Sequence, residues 1–277
     1  MFGDLPRVGA NFHAMEAWSN LKRVNGDIGQ IQSRLSTGKR INSAEDDTSG
    51  YALSKQLESR VRGLSQALDN VGTAKNVLKI AEGSYEAQMS ILQRLKEKAT
   101  QAADGSFSEA QRSAINDEYA ALVNEIQDIA DQAKFNDNTL FDSTMTFQVG
   151  EDNTNVLAVA FDSSTSAAVG EDDTNVSELS LATTASASAA ISTLDTAIKS
   201  LAKSIQEMGD FNARLSSKEE SLSNAISNTE ATRSRIEDAD FAKEQMNMMK
   251  LQILQQTTVS AFAQSNAAPQ VVLSLFR

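Results

Sequence analysis

The sequence runs to 277 residues of which 40% are hydrophobic but only 5% aromatic, so its apolar surface comes from Ala, Leu, Ile and Val and suits thin helical layers better than a thick aromatic core. A formal charge of −12 disfavours nucleic acid and anionic membranes as partners, because both would repel it. With no cysteine and His13 as the single histidine, disulfides, thiol chemistry, thiolate metal sites and histidine-based triads all lack their usual parts.

The N-terminal stretch has neither the basic start nor the continuous apolar run of a cleaved secretory signal, so export is expected to use a route without one. Nothing reaches the run of about 18 apolar residues that a membrane span needs. The two prolines, Pro6 and Pro269, lie near the ends and leave everything between them free of the strongest helix breaker.

In the first arm Ala14, Trp18, Leu21, Val24, Ile28, Ile31 and Leu35 fall at spacings of three and four, which places them on one helical stripe. The stripe breaks at Ser36, Thr37 and Gly38. A second helix is predicted from near Ser43, with Ser43 as N-cap and Asp46 near the positive helix end, to about Ala103. Its heptad series is Leu57, Leu64, Val71, Leu78, Tyr85, Leu92 and Ala99, flanked by Val61, Leu68, Ala74, Ala81, Leu95 and Ala102. Such a helix would extend roughly 90 Å, although Gly63, Gly72 and Gly83 each weaken it by about 1 kcal/mol relative to alanine.

A loop at Asp104, Gly105 and Ser106 reverses the chain into a third helix. Ile115, Tyr119, Leu122, Ile126, Ile129 and Ala133 are expected on its packing face, antiparallel to the second. Residues 140–189 turn polar, with strands predicted at 146–149 and 156–161 and a second hairpin around the near-copy at 169–176. Helical spacing returns at Ile191, Leu194, Ile198, Leu201, Ile205 and Met208 and continues to Thr229. A last segment carries Phe241, Met248, Leu251, Leu254, Val259 and Phe262 and ends with Leu273 and Leu275.

The expected fold is mainly α: a long antiparallel helical rod, a coiled-coil-like bundle, with a small β-hairpin insert and amphipathic terminal helices. Its segments, on bounds implied by the family resemblance that the end motifs below carry, are an N-terminal arm with a connecting spoke at 1–42, rod helices at 43–142, the insert at 143–190, a C-terminal rod helix at 191–236 and a C-terminal arm at 237–277. An isolated amphipathic arm cannot offset its ordering entropy, because its stripe has nothing to bury against. The two arms must therefore pair within one molecule or pack against other copies, and spacing does not separate these cases.

Two long motifs carry a family resemblance. RLSTGKRINSAEDDTSG at 34–50 resembles the N-terminal signature of bacterial flagellins. RIEDADFA at 235–242, followed by QILQQ at 252–256, AQSN at 263–266 and VLSLF at 272–276, resembles their C-terminal signature. AKFN at 133–136 with Leu140 matches as well, whereas PRVGAN at 6–11 departs from the Ile-Asn-Thr-Asn-like start of most members. The resemblance covers about 1–142 and 190–277 and leaves no room for the large variable outer domains of longer flagellins.

It implies a non-enzymatic, extracellular subunit of the bacterial flagellum that polymerises into the filament for swimming motility, without cofactors. The terminal helices would form the filament core, with Trp18, Leu21, Val24, Ile28, Ile31, Leu35, Met248, Leu251, Leu254, Val259, Phe262, Leu273 and Leu275 at subunit interfaces. Implied partners are further copies of the chain, the flagellar export chaperone and export apparatus, and hook-associated and cap proteins. The chaperone would contact the C-terminal region around Met246, Met248 and Met249. Gln93, Arg94 and Glu118 match positions at which a vertebrate innate immune receptor recognises some flagellins, with Lys98 replacing an expected apolar residue. The same three also read as solvent-exposed or subunit-facing polar residues. Glu45, Asp46 and Asp47 match no calcium loop and read as capping and arm-contact residues. Two alternatives stand beside this reading, a hook–filament junction protein and a filament-embedded hydrolase. Thr48, Ser49 and Gly50 after the Asp pair argue against the first, and the short insert without histidine or cysteine against the second.

Overall fold

The structure, a computed structural model, describes residues 11–169 and 175–274, with the side chains of the last helix as far as Ala267. Eleven elements follow in order: α1 Phe12–Thr37, α2 Thr48–Ala103, α3 Glu109–Gln132, β1 Lys134–Phe135, β2 Asn138–Thr139, β3 Ser143–Gln148, β4 Val156–Phe161, β5 Ser164–Thr165, β6 Ala168–Val169, α4 Thr184–Glu237 and α5 Phe241–Ser274. The described residues divide into two compact units, one from Met1–Ser59 with Asn228–Arg277 and the other from Arg60–Ser227.

In the second unit α2 lies antiparallel to both α3 and α4. Lys75 pairs with Glu219 at 2.8 Å and Lys96 with Asp195 at 2.5 Å, so rising numbers on α2 meet falling numbers on α4. The heptad series is covered from Leu64 onward: Val71, Tyr85, Leu92 and Ala99 are wholly buried, as are Ala74, Ala81, Leu95 and Ala102 of the flanking series. Position 88 of that flanking series holds Gln88, also wholly buried. Its Nε2 donates to the carbonyls of Ile126 at 3.1 Å and Ser164 at 2.9 Å, and its Oε1 accepts from the Ser164 hydroxyl. One polar side chain in an apolar seam thus pins α2 to α3 and β5 at a single register, since every other alignment would bury it unpaired.

The helix α2 runs without interruption through Gly63, Gly72 and Gly83, where packing of the seam outweighs the loss of propensity. Two expected helix starts shift. α2 begins at Thr48 and not near Ser43, because Asp47, not Ser43, caps it: the Asp47 carboxylate accepts from Gly50 N at 2.9 Å. α4 begins at Thr184, seven residues before Ile191, because Ala187 and Ala190 already sit at helical spacing and are wholly buried. The packing face of α3 is also displaced, with Ile115, Tyr119, Val123, Ile126 and Ala130 buried and Leu122 and Ile129 only half-buried.

The hairpin β3–β4 is antiparallel, pairing Ser143 with Phe161 through to Gln148 with Val156. Leu157, Val159 and Phe161 alternate inward, while Val156, Ala158 and Ala160 face out. A further tight hairpin, β1–β2, turns at Asn136 and Asp137 with φ of 50° and 64°, values that asparagine and aspartate tolerate best among residues with a side chain. The expected hairpin at 169–176 lies in part outside the described residues; before it stands the short pair β5–β6. Buried hydroxyls anchor these loops: Tyr85 donates to the Asp162 carbonyl at 3.0 Å and Tyr119 to that of Val176 at 3.1 Å. No helix among the described residues is long and apolar enough to cross a membrane.

Candidate functional site: the terminal helix pair and its anchor

In the first unit α1 and α5 pack as an antiparallel pair. Asn11 caps α1 by accepting from Ala14 N at 3.1 Å, and its Nδ2 donates to the Ser265 carbonyl at 2.7 Å. The Trp18 and Phe262 rings stand 5.8 Å apart, Gln255 donates to Asn25 at 2.7 Å, and Arg34 meets Glu244 at 3.7 Å. Partners therefore descend on α5 as they ascend on α1. Buried and half-buried positions on α5 recur at Glu244, Met248, Leu251, Gln255, Thr258, Phe262 and Ser265, the alternating three-and-four spacing of a coiled-coil seam.

The expected interface residues fall into three groups. Val24 and Ile31 are buried within the single chain. Leu21, Ile28, Leu35, Met248, Leu251 and Phe262 are half-buried in the pair. Trp18, Leu254 and Val259 remain exposed, Trp18 at 58%. Leu275 lies outside the described residues, as does the side chain of Leu273.

Beyond these the surface carries large apolar residues that the stripes left out, Phe12 and Met15 on α1 and Met246, Met249 and Ile253 on α5, and Phe241 of the expected α5 series is exposed as well. Met246, Met249 and Ile253 stand at i, i+3 and i+7, a second stripe on α5 facing away from α1. Spacing could have revealed it, but apolar residues surround this helix and the first stripe masks the second. A helix apolar on most sides needs more cover than one partner helix supplies.

The pair is anchored where the two sequence signatures meet. Past α1 the chain turns at Gly38, whose φ of 72° caps the helix in the left-handed region. Arg40 N and Ile41 N then donate to the Glu237 carbonyl at 2.6 and 3.3 Å, and Ala239 N donates back to the Gly38 carbonyl at 2.9 Å. The Glu237 side chain, almost fully buried, takes Lys39 at 2.5 Å, the Ser54 hydroxyl at 2.6 Å and Arg233 at 3.4 Å. Burial is the largest influence on its carboxyl and pushes the pKa up. The hydrogen bonds from Lys39 and Ser54 and the charges of Lys39 and Arg233 together outweigh it and hold the group below the usual glutamate range.

Asp46 organises the preceding turn. It accepts from Gln30 of α1 at 2.9 Å and from the backbone of Asn42 and Ser43 at 3.0 and 3.1 Å, and these bonds, Gln30 first, lower its pKa to about 2. Glu45 stays exposed. The acidic triplet thus splits into a turn organiser, Asp46, and a helix cap, Asp47.

Gln93, Arg94 and Glu118 are all exposed in the second unit. Glu118 forms an ion pair with Lys98, one turn beyond Arg94 on α2, and Gln93 borders a shallow groove shared with Asp195 and Ile198 of α4. The three therefore lie on two different helices, with Glu118 already engaged.

Comparison with known proteins matches this architecture. The bacterial flagellin N-terminal helical region matches residues 8–146 and the flagellin C-terminal helical region residues 191–276. A flagellin of Halalkalibacterium halodurans is 34% identical over 98% of this chain and 99% of its own. Flagellin FlaB1 of Treponema pallidum is 33% identical at the same coverages, and a flagellin of Listeria monocytogenes 30% identical over 97% and 99%. A solved structure of a putative flagellar hook-associated protein from Vibrio parahaemolyticus aligns with 70% of this chain and 100% of its own at a TM-score of 0.60 and 13% identity, a likeness of fold alone. The chain belongs to the bacterial flagellin family, structural proteins whose subunits polymerise into the flagellar filament.

Proposed function

We propose that this chain builds the filament outside the cell through its terminal helix pair, without catalysing a reaction. In this reading residues 1–36 and 237–277 supply the axial layer, and the apolar residues that α1 and α5 leave exposed are covered by the same helices of neighbouring copies. The observation that carries it is the set Phe12, Met15, Trp18, Met246, Met249 and Ile253, each more than half exposed on a helix pair whose inner seam is already closed. Burial of each is worth about 1.5–3 kcal/mol, which favours association once many copies contribute. Before assembly the same stripe of Met246 and Met249 suits an export chaperone, since flexible thioethers adapt to different partners. Hook-associated and cap proteins would meet these helices at the filament ends. Gln93, Arg94 and Glu118 serve the polymer as polar surface residues, with receptor contact a secondary property of the same exposed face.

Truncation tests this directly. Chains lacking 1–36 or 240–277 should stay monomeric under conditions in which the full chain forms filaments, read by electron microscopy and sedimentation. Filaments of normal length from either truncated chain would refute the assignment.

A further inference from the structure

The second unit carries two charged features of opposite sign that its own fold leaves unpaired. Between the β3–β4 hairpin and α4 lies a groove of about 510 Å³, floored by Val149 and Leu157 and walled on the α4 side by Arg214 and Lys218. Both cations are exposed, and neither has an anionic partner among the described residues; Arg214 rests over the Phe211 ring at 5.4 Å. Two nearby acids are engaged elsewhere, Glu219 with Lys75 at 2.8 Å and Glu151 with Arg60 at 2.9 Å. Val156, 46% exposed, adds an apolar rim.

The second feature is the outer face of α3. Asp117, Asp128 and Asp131 fall within about 60° of one another on the helical wheel, with Glu125 about 60° beyond Asp128. All four are exposed. Asp117, Glu125 and Asp128 have no cationic partner among the described residues, and the only cation in α3, Arg112, donates to the Asp104 carbonyl. In a chain of net charge −12 such a face repels most of the surface of another copy and is drawn to a cationic groove.

We propose that the Arg214–Lys218 groove receives the α3 acidic stripe of a second copy of this chain. The inference rests on the filament reading above and adds a second contact to it, distinct from the terminal helices. Because groove and stripe belong to different elements, each copy presents one of each. Where one such contact joins each pair of copies it is head-to-tail and propagates, the geometry an open polymer requires.

Two experiments on the full chain test it. The sequence has no cysteine, so Lys218→Cys and Asp128→Cys introduce the only thiols. Oxidised filaments of the chain carrying both should run as a ladder of covalent multimers on a non-reducing gel, while each single variant stays monomeric. Absence of the ladder, or dimers from a single variant, overturns the contact. Separately, Arg214→Glu with Lys218→Glu should slow elongation from filament seeds at low salt by about tenfold, and adding Asp117→Lys with Asp128→Lys should restore it. Unchanged growth, or no rescue, overturns the pairing while leaving the filament reading intact. Wild-type chains that never elongate seeds would reject both.

Discussion

Ser54 donates its hydroxyl to the Glu237 carboxylate at 2.6 Å, although 183 residues separate them in sequence. The bond joins the second turn of α2 to the last residue of α4, and the Glu237 backbone carbonyl simultaneously receives Arg40 and Ile41. One residue of the C-terminal signature thereby organises the segment that the N-terminal signature encodes. Replacing Glu237 by alanine leaves the buried Ser54 hydroxyl without its acceptor, at a cost of about 1–3 kcal/mol. Faster amide hydrogen exchange at Arg40 and Ile41 is the expected readout, with the β3–β4 hairpin unchanged. Equal protection in both proteins would remove Glu237 from this role.

Acid should loosen the same anchor first. Asp46 has a folded pKa of about 2 against an ordinary 3.8, and Glu237 is also held below its ordinary 4.5. Groups with depressed folded pKa values contribute stability that is complete above their unfolded values and lost as pH falls toward the folded ones. Local exchange around residues 40–47 should therefore be constant at neutral pH and, corrected for the intrinsic rate, rise as pH drops below 4.5 toward 2. Asp46→Asn should flatten part of that rise.

Gln88 offers a sharper stability test. Gln88→Leu suits the apolar seam by composition, yet it strips the acceptor from the buried Ser164 hydroxyl and the donor from two carbonyls. The expected loss is about 1–3 kcal/mol in denaturant unfolding. Adding Ser164→Ala should recover part of it, because the stranded hydroxyl goes too. Additive losses in the double variant would show that the two side chains do not act as a pair.

Two glycines of α2 should respond with opposite sign to alanine. A Cβ at Gly50 would stand 2.5 Å from Asp47 Oδ2 and 2.7 Å from Ile41 Cδ1, so the cap and the buried Ile41 must both move. Gly83 has nothing within 4 Å of such an atom and lies in mid-helix. Gly83→Ala should stabilise by about 1 kcal/mol, whereas Gly50→Ala should destabilise, both read from unfolding midpoints.

Much of the fold was legible in the chain itself, for identifiable reasons. The α2 seam reads directly because apolar residues recur every seven positions, and the α1 end at Gly38 because glycine suits the left-handed cap. The start of α4 was hidden because Ala187 and Ala190 look like loop composition until packing shows them in the core. Gln88 is invisible to periodicity because a polar residue in a seam carries no apolar signal. The exposed stripe of Met246, Met249 and Ile253 was obscured by the seam on the other side of the same helix.

Periodicity is a local property, so the sequence by itself determined where helices run and which stripe of each is apolar, and its two end motifs determined the family. Which stripe closes within the chain is a non-local matter. Only the tertiary structure decided that α1 and α5 cover each other's inner seam and leave Trp18 and Met249 outside. It also decided that Glu237 gathers Lys39, Ser54 and Arg233 around one buried carboxylate. Such arrangements depend on distances between residues far apart in the chain, and no spacing along it encodes those distances.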